Sequence, residues 1–66
     1  MSKSVLTKRE KQVFDLLILN NTTHQIATKL KISEKTVRNH ISNVILKLGV
    51  NSRKQAILEL KKLNEL

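Results

Sequence analysis

Three times in this chain a hydroxyl residue is followed, three positions later, by Glu or Gln at the head of an amphipathic run: Thr7–Glu10, Thr22–Gln25 and Ser52–Gln55. This is the capping-box pattern. The hydroxyl accepts from the backbone N–H three residues on, and the carboxylate or amide reaches back to the cap's own N–H, so two orphan donors of a helix start satisfy each other's partners. A fourth start, at Ser33, carries another signature: Ile32 before it and Val37 after it occupy the two positions of a hydrophobic staple. Four capped starts in 66 residues leave room only for short helices and tight connections. The apolar residues recur at three and four rather than at two, with no Pro and a single Gly, so the chain reads as all-α.

Helices are expected at about 8–19, 23–30, 34–48 and 53–63. Asn20 and Asn21 interrupt the first, and Gly49 supplies a left-handed residue after the third. Only Lys31, Ile32 and Ser33 separate the second helix from the third. So short a connection forces a steep crossing, as in a helix-turn-helix unit. Ala27, near the middle of the second helix, is small enough to let a partner approach closely.

The length allows one domain, taken as residues 6–66 behind a short flexible arm, 1–5. A core this small is marginal by itself. The formal charge of +8 points to an anionic partner: nucleic acid, anionic lipid or an acidic protein. There is no Cys, hence no disulfide framework or thiolate zinc site, and the two histidines have no converging carboxylates that would make a metal site. The longest apolar run, Leu16–Leu17–Ile18–Leu19, is far short of a membrane span, and the N-terminus lacks a signal-peptide core. The expectation is a cytoplasmic domain with no cofactor, no small-molecule ligand and no membrane association.

Placing Val37 at zero and advancing 100° per residue puts Val37, Ile41, Val44 and Leu48 in one stripe, with Ile45 at its edge. Lys35, Arg38, Asn39 and Ser42 fall on the opposite side. Arg can make two hydrogen bonds to guanine O6 and N7, Asn two to adenine N6 and N7, and Ser one to several base edges. Arg38, Asn39 and Ser42 are therefore candidate base readers in a DNA major groove, with Lys35 and Thr36 as phosphate contacts. The plain alternative is that these are solvated surface residues. The short turn before the helix and the net charge favour DNA.

The helix starts add to this. Acids are preferred at helix N-termini, yet Lys8 and Arg9 open the first helix, Lys35 lies in the first turn of the third, and Arg53 and Lys54 open the fourth. Such cations become favourable when a phosphate sits at the helix end. The expected phosphate-contacting set is Lys8, Arg9, Thr23, Ser33, Lys35, Thr36, Arg53 and Lys54. The alternative is that Glu10 and Glu34 neutralise two of these ends and the lysines only confer solubility. His40, at the margin of the core stripe, reads as a packing residue, and His24 as a plain surface residue, the alternative being a phosphate contact when it is protonated.

Catalysis is disfavoured. Ser33, Ser42 and His40 lie on one helix without an orienting acid, and no glycine-rich phosphate loop is present, so no catalytic residue is expected. A membrane-surface peptide would suit the charge, but the apolar residues are divided among four capped helices that can bury one another. Single-strand or RNA binding favours aromatic platforms, and Phe14, a core residue by position, is the only aromatic. A protein partner such as RNA polymerase is compatible with DNA binding.

The segments "LTKREKQVFDLL", "TTHQIATKLKISEKTVRNHISNVILKLGV" and "SRKQAILEL" resemble the LuxR/GerE-type helix-turn-helix domain of bacterial transcription regulators. The likeness runs from about Leu6 to Leu60, and Thr7, Arg9, Glu10, Ile26, Ala27, Leu30, Ser33, Thr36, Val37, His40, Leu48 and Ala56 stand where the family pattern has them. It implies a four-helix domain whose third helix enters the major groove, with Arg38, Asn39 and Ser42 facing bases and Lys35 and Thr36 facing phosphates. It also implies a two-fold dimer, formed through the fourth helix, on a partly palindromic duplex site. The small stand-alone sporulation regulators of this family are the nearest in layout, which would extend to a role in sporulation if the job is shared.

Two residues depart from the pattern. Leu46 projects from the polar face of the third helix where a polar residue is expected, its alternatives being a thymine methyl, a partner protein or no contact, and Lys31 fills a turn where many helix-turn-helix units outside the family carry Gly. On the fourth helix Ala56, Leu60 and Leu63 form the expected core stripe, with Ile57 flanking. Leu58, with Lys61 and Lys62, is the candidate dimer surface, the alternative being an exposed Leu of no consequence.

Overall fold

All four expected helix starts form in the computed structural model of the chain, which describes residues 5–66. The helices are α1 Lys8–Leu17, α2 Thr23–Leu30, α3 Glu34–Leu48 and α4 Arg53–Lys62. At α1 the Glu10 N–H donates to Thr7 Oγ1 at 3.1 Å, and the Thr7 N–H donates to Glu10 Oε1 at 2.9 Å. At α2 the same exchange joins Thr22 and Gln25, at 3.1 and 2.8 Å. Ser33 Oγ accepts from the Thr36 N–H at 3.0 Å, and Ile32 packs against the core beside it. The third box, at the start of α4, closes differently from its sequence pattern. Ser52 Oγ accepts from the Gln55 N–H at 3.2 Å, but the Gln55 amide oxygen passes Ser52 and takes the N–H of Asn51 at 2.9 Å.

The helices also end alike. Asn20, Lys31, Gly49 and Asn64 are left-handed, with φ of 67°, 59°, 68° and 60°. In each case the next residue's N–H bonds back five positions: Asn21 to Leu16 O, Ile32 to Ala27 O, Val50 to Ile45 O and Glu65 to Leu60 O, at 2.8–3.2 Å. This is the Schellman termination. It corrects two expected boundaries. The first helix stops at Leu17 rather than 19, because a left-handed Asn20 pulls residues 18–20 into the turn, leaving Leu19 exposed. The fourth stops at Lys62, so Leu63 is 44% exposed instead of completing the core stripe, while Leu66, turned back by Asn64, packs against the core.

The core gathers Leu6, Val13, Phe14, Leu17, Ile26, Ala27, Val37, Ile41, Val44, Ala56 and Leu60. Its centre is α3, against which α1, α2 and α4 all pack. One edge of the core is pinned by a half-buried ion pair: Lys47 Nζ, in the last turn of α3, donates to Glu10 Oε1 at 2.7 Å and to Val5 O at 3.1 Å. The Glu10 side chain is 5% exposed. Burial pushes its pKa up, but the Lys47 ammonium and the Thr7 N–H outweigh that and hold the carboxyl below its ordinary value. Residues 1–4 of the expected arm lie outside the described residues. Among the described residues no helix is long and apolar enough to cross a membrane.

Candidate nucleic-acid interface

Because three helices close on one side of α3, its other side is left free. Val37 and Val44 are fully buried and Ile41 nearly so, which fixes the rotation of the helix. Lys35, Arg38, Asn39 and Ser42 consequently emerge on the open side, all exposed. The base-facing set read from the sequence is thus brought together on one rigid surface.

Expected phosphate contacts fall into two groups, one at each end of α3. Ser33, Lys35 and Thr36 are at its start. Thr23, half-buried, opens α2, and its neighbour His24 reaches α3: His24 Nδ1 lies 3.0 Å from Glu34 Oε2, with the ring N–H donating. Thr36 is half-buried and its hydroxyl lies 2.9 Å from Ser33 Oγ, so both hydroxyls already have a partner in the cap. The second group belongs by chain connection to the other end of α3, a helix about 22 Å long at 1.5 Å per residue. Lys8 and Arg9 precede Glu10, which is held on Lys47, and Arg53 and Lys54 follow Gly49 by a few residues. Lys8, Lys35, Arg53 and Lys54 are exposed and Arg9 is half-buried. Among the described residues none of these five cations has a carboxylate within ion-pair distance, and the acids beside Lys8, Arg9 and Lys35 face elsewhere: Glu10 to Lys47, Glu34 to Arg38 and His24.

The sequence offered Glu34 only as a neutraliser of the α3 start, and the structure gives it two partners. Its Oε1 lies 3.6 Å from Arg38 Nη1, one turn on, while Oε2 takes His24. The spacing Glu34–Arg38 was a legible i,i+4 signal; the His24 contact crosses between helices and was not. His24 is therefore paired with a carboxylate rather than standing alone on the surface. His40 is half-buried, as its place at the stripe margin implies. On α4, Leu58 is 59% exposed and Lys61 and Lys62 are exposed, with Lys62 Nζ 3.9 Å from Glu59. Among the described residues no three His, Asp or Glu side chains converge as a metal site would require.

Comparison with known proteins identifies relatives of this chain. Residues 4–60 match the family described as bacterial regulatory proteins, luxR family. Over 65 residues the chain is 60% identical to the spore germination protein GerE of Bacillus subtilis (strain 168), covering 98% of this chain and 88% of that protein. It is 46% identical over 55 residues to the transcriptional regulatory protein DegU of Brevibacillus brevis, matching 83% of this chain but 23% of that longer protein. Among solved structures, that of the transcription factor GerE superposes with a TM-score of 0.94 at 61% identity, covering 97% of this chain and 96% of that one. The response regulator ChrA of a heme-sensing two-component system superposes with a TM-score of 0.87 at 32% identity over all of this chain and 33% of its own.

Proposed function

The chain belongs to the luxR family of bacterial regulatory proteins, DNA-binding helix-turn-helix transcription regulators, and from that premise we propose how it reads its site. α3 lies in the major groove. Arg38 donates two hydrogen bonds to a guanine, Asn39 pairs with an adenine edge, and Ser42 bonds to a neighbouring base or phosphate. Ser33, Lys35, Thr36 and Thr23 hold one phosphate strand, and Lys8, Arg9, Arg53 and Lys54 hold the other. Two copies joined through α4, with Leu58 between them and Lys61 and Lys62 at the rim, bind a partly palindromic site. The reading places the protein in the cytoplasm, where the DNA is. Its likeness to a spore germination protein supports a role in sporulation, and RNA polymerase is a compatible second partner.

The observation that carries this reading is the division of α3: Val37, Ile41 and Val44 inside, and Lys35, Arg38, Asn39 and Ser42 outside. Selection of bound duplexes from a random pool tests it. A two-fold symmetric consensus, bound with an affinity that falls steeply as salt rises, is the expected result. Salt-insensitive binding, or recovery of an unpatterned pool, contradicts it.

A further inference from the structure

Leu46 is the most exposed large apolar side chain of the described residues, at 78%. It is not in a frayed segment. It lies in the last full turn of α3, between Val44, fully buried, and Lys47, whose ammonium is fixed on Glu10 at 2.7 Å. Turning Leu46 inward would expose Val44 and break that ion pair, so the helix holds it outward. At 100° per residue it points between Lys35 and Asn39 and within about 40° of Ser42, on the line proposed above to face bases. A polar side chain there would suit either water or a phosphate; Leu suits neither.

The major groove offers one apolar group on a base edge, the C5-methyl of thymine. We propose that Leu46 is a further specificity-determining residue, packing on a thymine methyl. At 1.5 Å rise per residue it lies about 6 Å beyond Ser42 along α3, which corresponds to roughly one to two base pairs at 3.4 Å each. The selected site should therefore show a thymine preference just past the base pair that Ser42 approaches, repeated in the second half-site. This rests on the placement of α3 in the major groove proposed above.

The test uses the selected duplex with each thymine replaced in turn by deoxyuridine, which lacks only the methyl. One position per half-site should weaken binding of the unaltered protein about fourfold, the loss expected for one buried methyl-sized group at ~0.8 kcal/mol. The same replacement should leave Leu46→Ala unaffected, and that variant, altered at an exposed position, should keep its melting temperature. If no thymine position separates the two proteins, Leu46 does not read a methyl. The same holds if Leu46→Ala loses transcriptional activation while its deoxyuridine profile matches that of the unaltered protein, since the leucine then faces a protein. A parallel scan with 7-deazaguanine, compared between the unaltered protein and Arg38→Ala, keeps the two proposals apart. A guanine effect without a thymine effect overturns the Leu46 assignment alone, and loss of both overturns the groove placement as well.

Discussion

At the scale of single residues, Glu34 is the counterweight on an otherwise cationic surface. Its carboxylate stands at the positive end of the α3 dipole and bridges Arg38 and His24. These interactions favour the free fold, though solvent keeps them small: the Glu34 side chain is 45% exposed. Against a DNA backbone the same carboxylate is repelled. Glu34→Gln should therefore move two measurements in opposite directions. Urea unfolding should show a loss of about 0.3–1 kcal/mol, while affinity for duplex of any sequence should rise. A parallel fall in both would mean that Glu34 orients Arg38 rather than restraining it. Much of this surface could be read from the chain alone, since Arg38, Asn39 and Ser42 follow from the period of one helix. The Glu34–His24 contact could not, because it depends on how two helices cross. Nor could the seating of Lys47 on Glu10, which lie 37 positions apart.

At the scale of the elements, the caps explain why all four starts were legible while the ends of α1 and α4 were not. A start is written in side chains, a hydroxyl and an acid or amide three residues on. An end depends on which residue takes the left-handed conformation, and here that is Gly only at Gly49. Asn20 and Asn64 tolerate it, whereas Lys31 adopts it at a cost that reaches about 1–2 kcal/mol for a side chain with a Cβ. Asn20 was legible as a stop for α1, but not as the left-handed residue that draws Ile18 and Leu19 into the turn. The strain at Lys31 is testable. Lys31→Gly removes the Cβ conflict but adds freedom to the unfolded chain. The net gain should be up to about 1 kcal/mol, seen as a rise in melting temperature of roughly 4–8 °C for a domain of this size. A fall instead would show that the Lys31 side chain, not its backbone, matters to the turn.

At the scale of the whole molecule, a small core is braced by an ion pair, buried on its Glu10 side, that joins the first turn of α1 to the last turn of α3. Since the Glu10 carboxyl is held below its ordinary value of 4.5, the unfolded chain binds the proton more readily. The stabilisation is thus fully present above that ordinary value and is lost as pH falls through the lower folded-state value. Acid unfolding should show this decline, and Glu10→Gln should flatten it. Lys47→Met, which leaves the carboxylate buried without its cation, should cost about 1–3 kcal/mol at neutral pH in urea unfolding. The same bracing fixes the direction in which α3 presents its outer side, and the central claim concerns that side. The most direct test compares Arg38→Ala with Lys35→Ala on the selected site and its single-base variants. Arg38→Ala should lose about 1–3 kcal/mol of discrimination at one guanine, whereas Lys35→Ala should weaken all the duplexes alike. If both variants scale every duplex by a common factor, Arg38 does not read a base and the account of α3 is wrong.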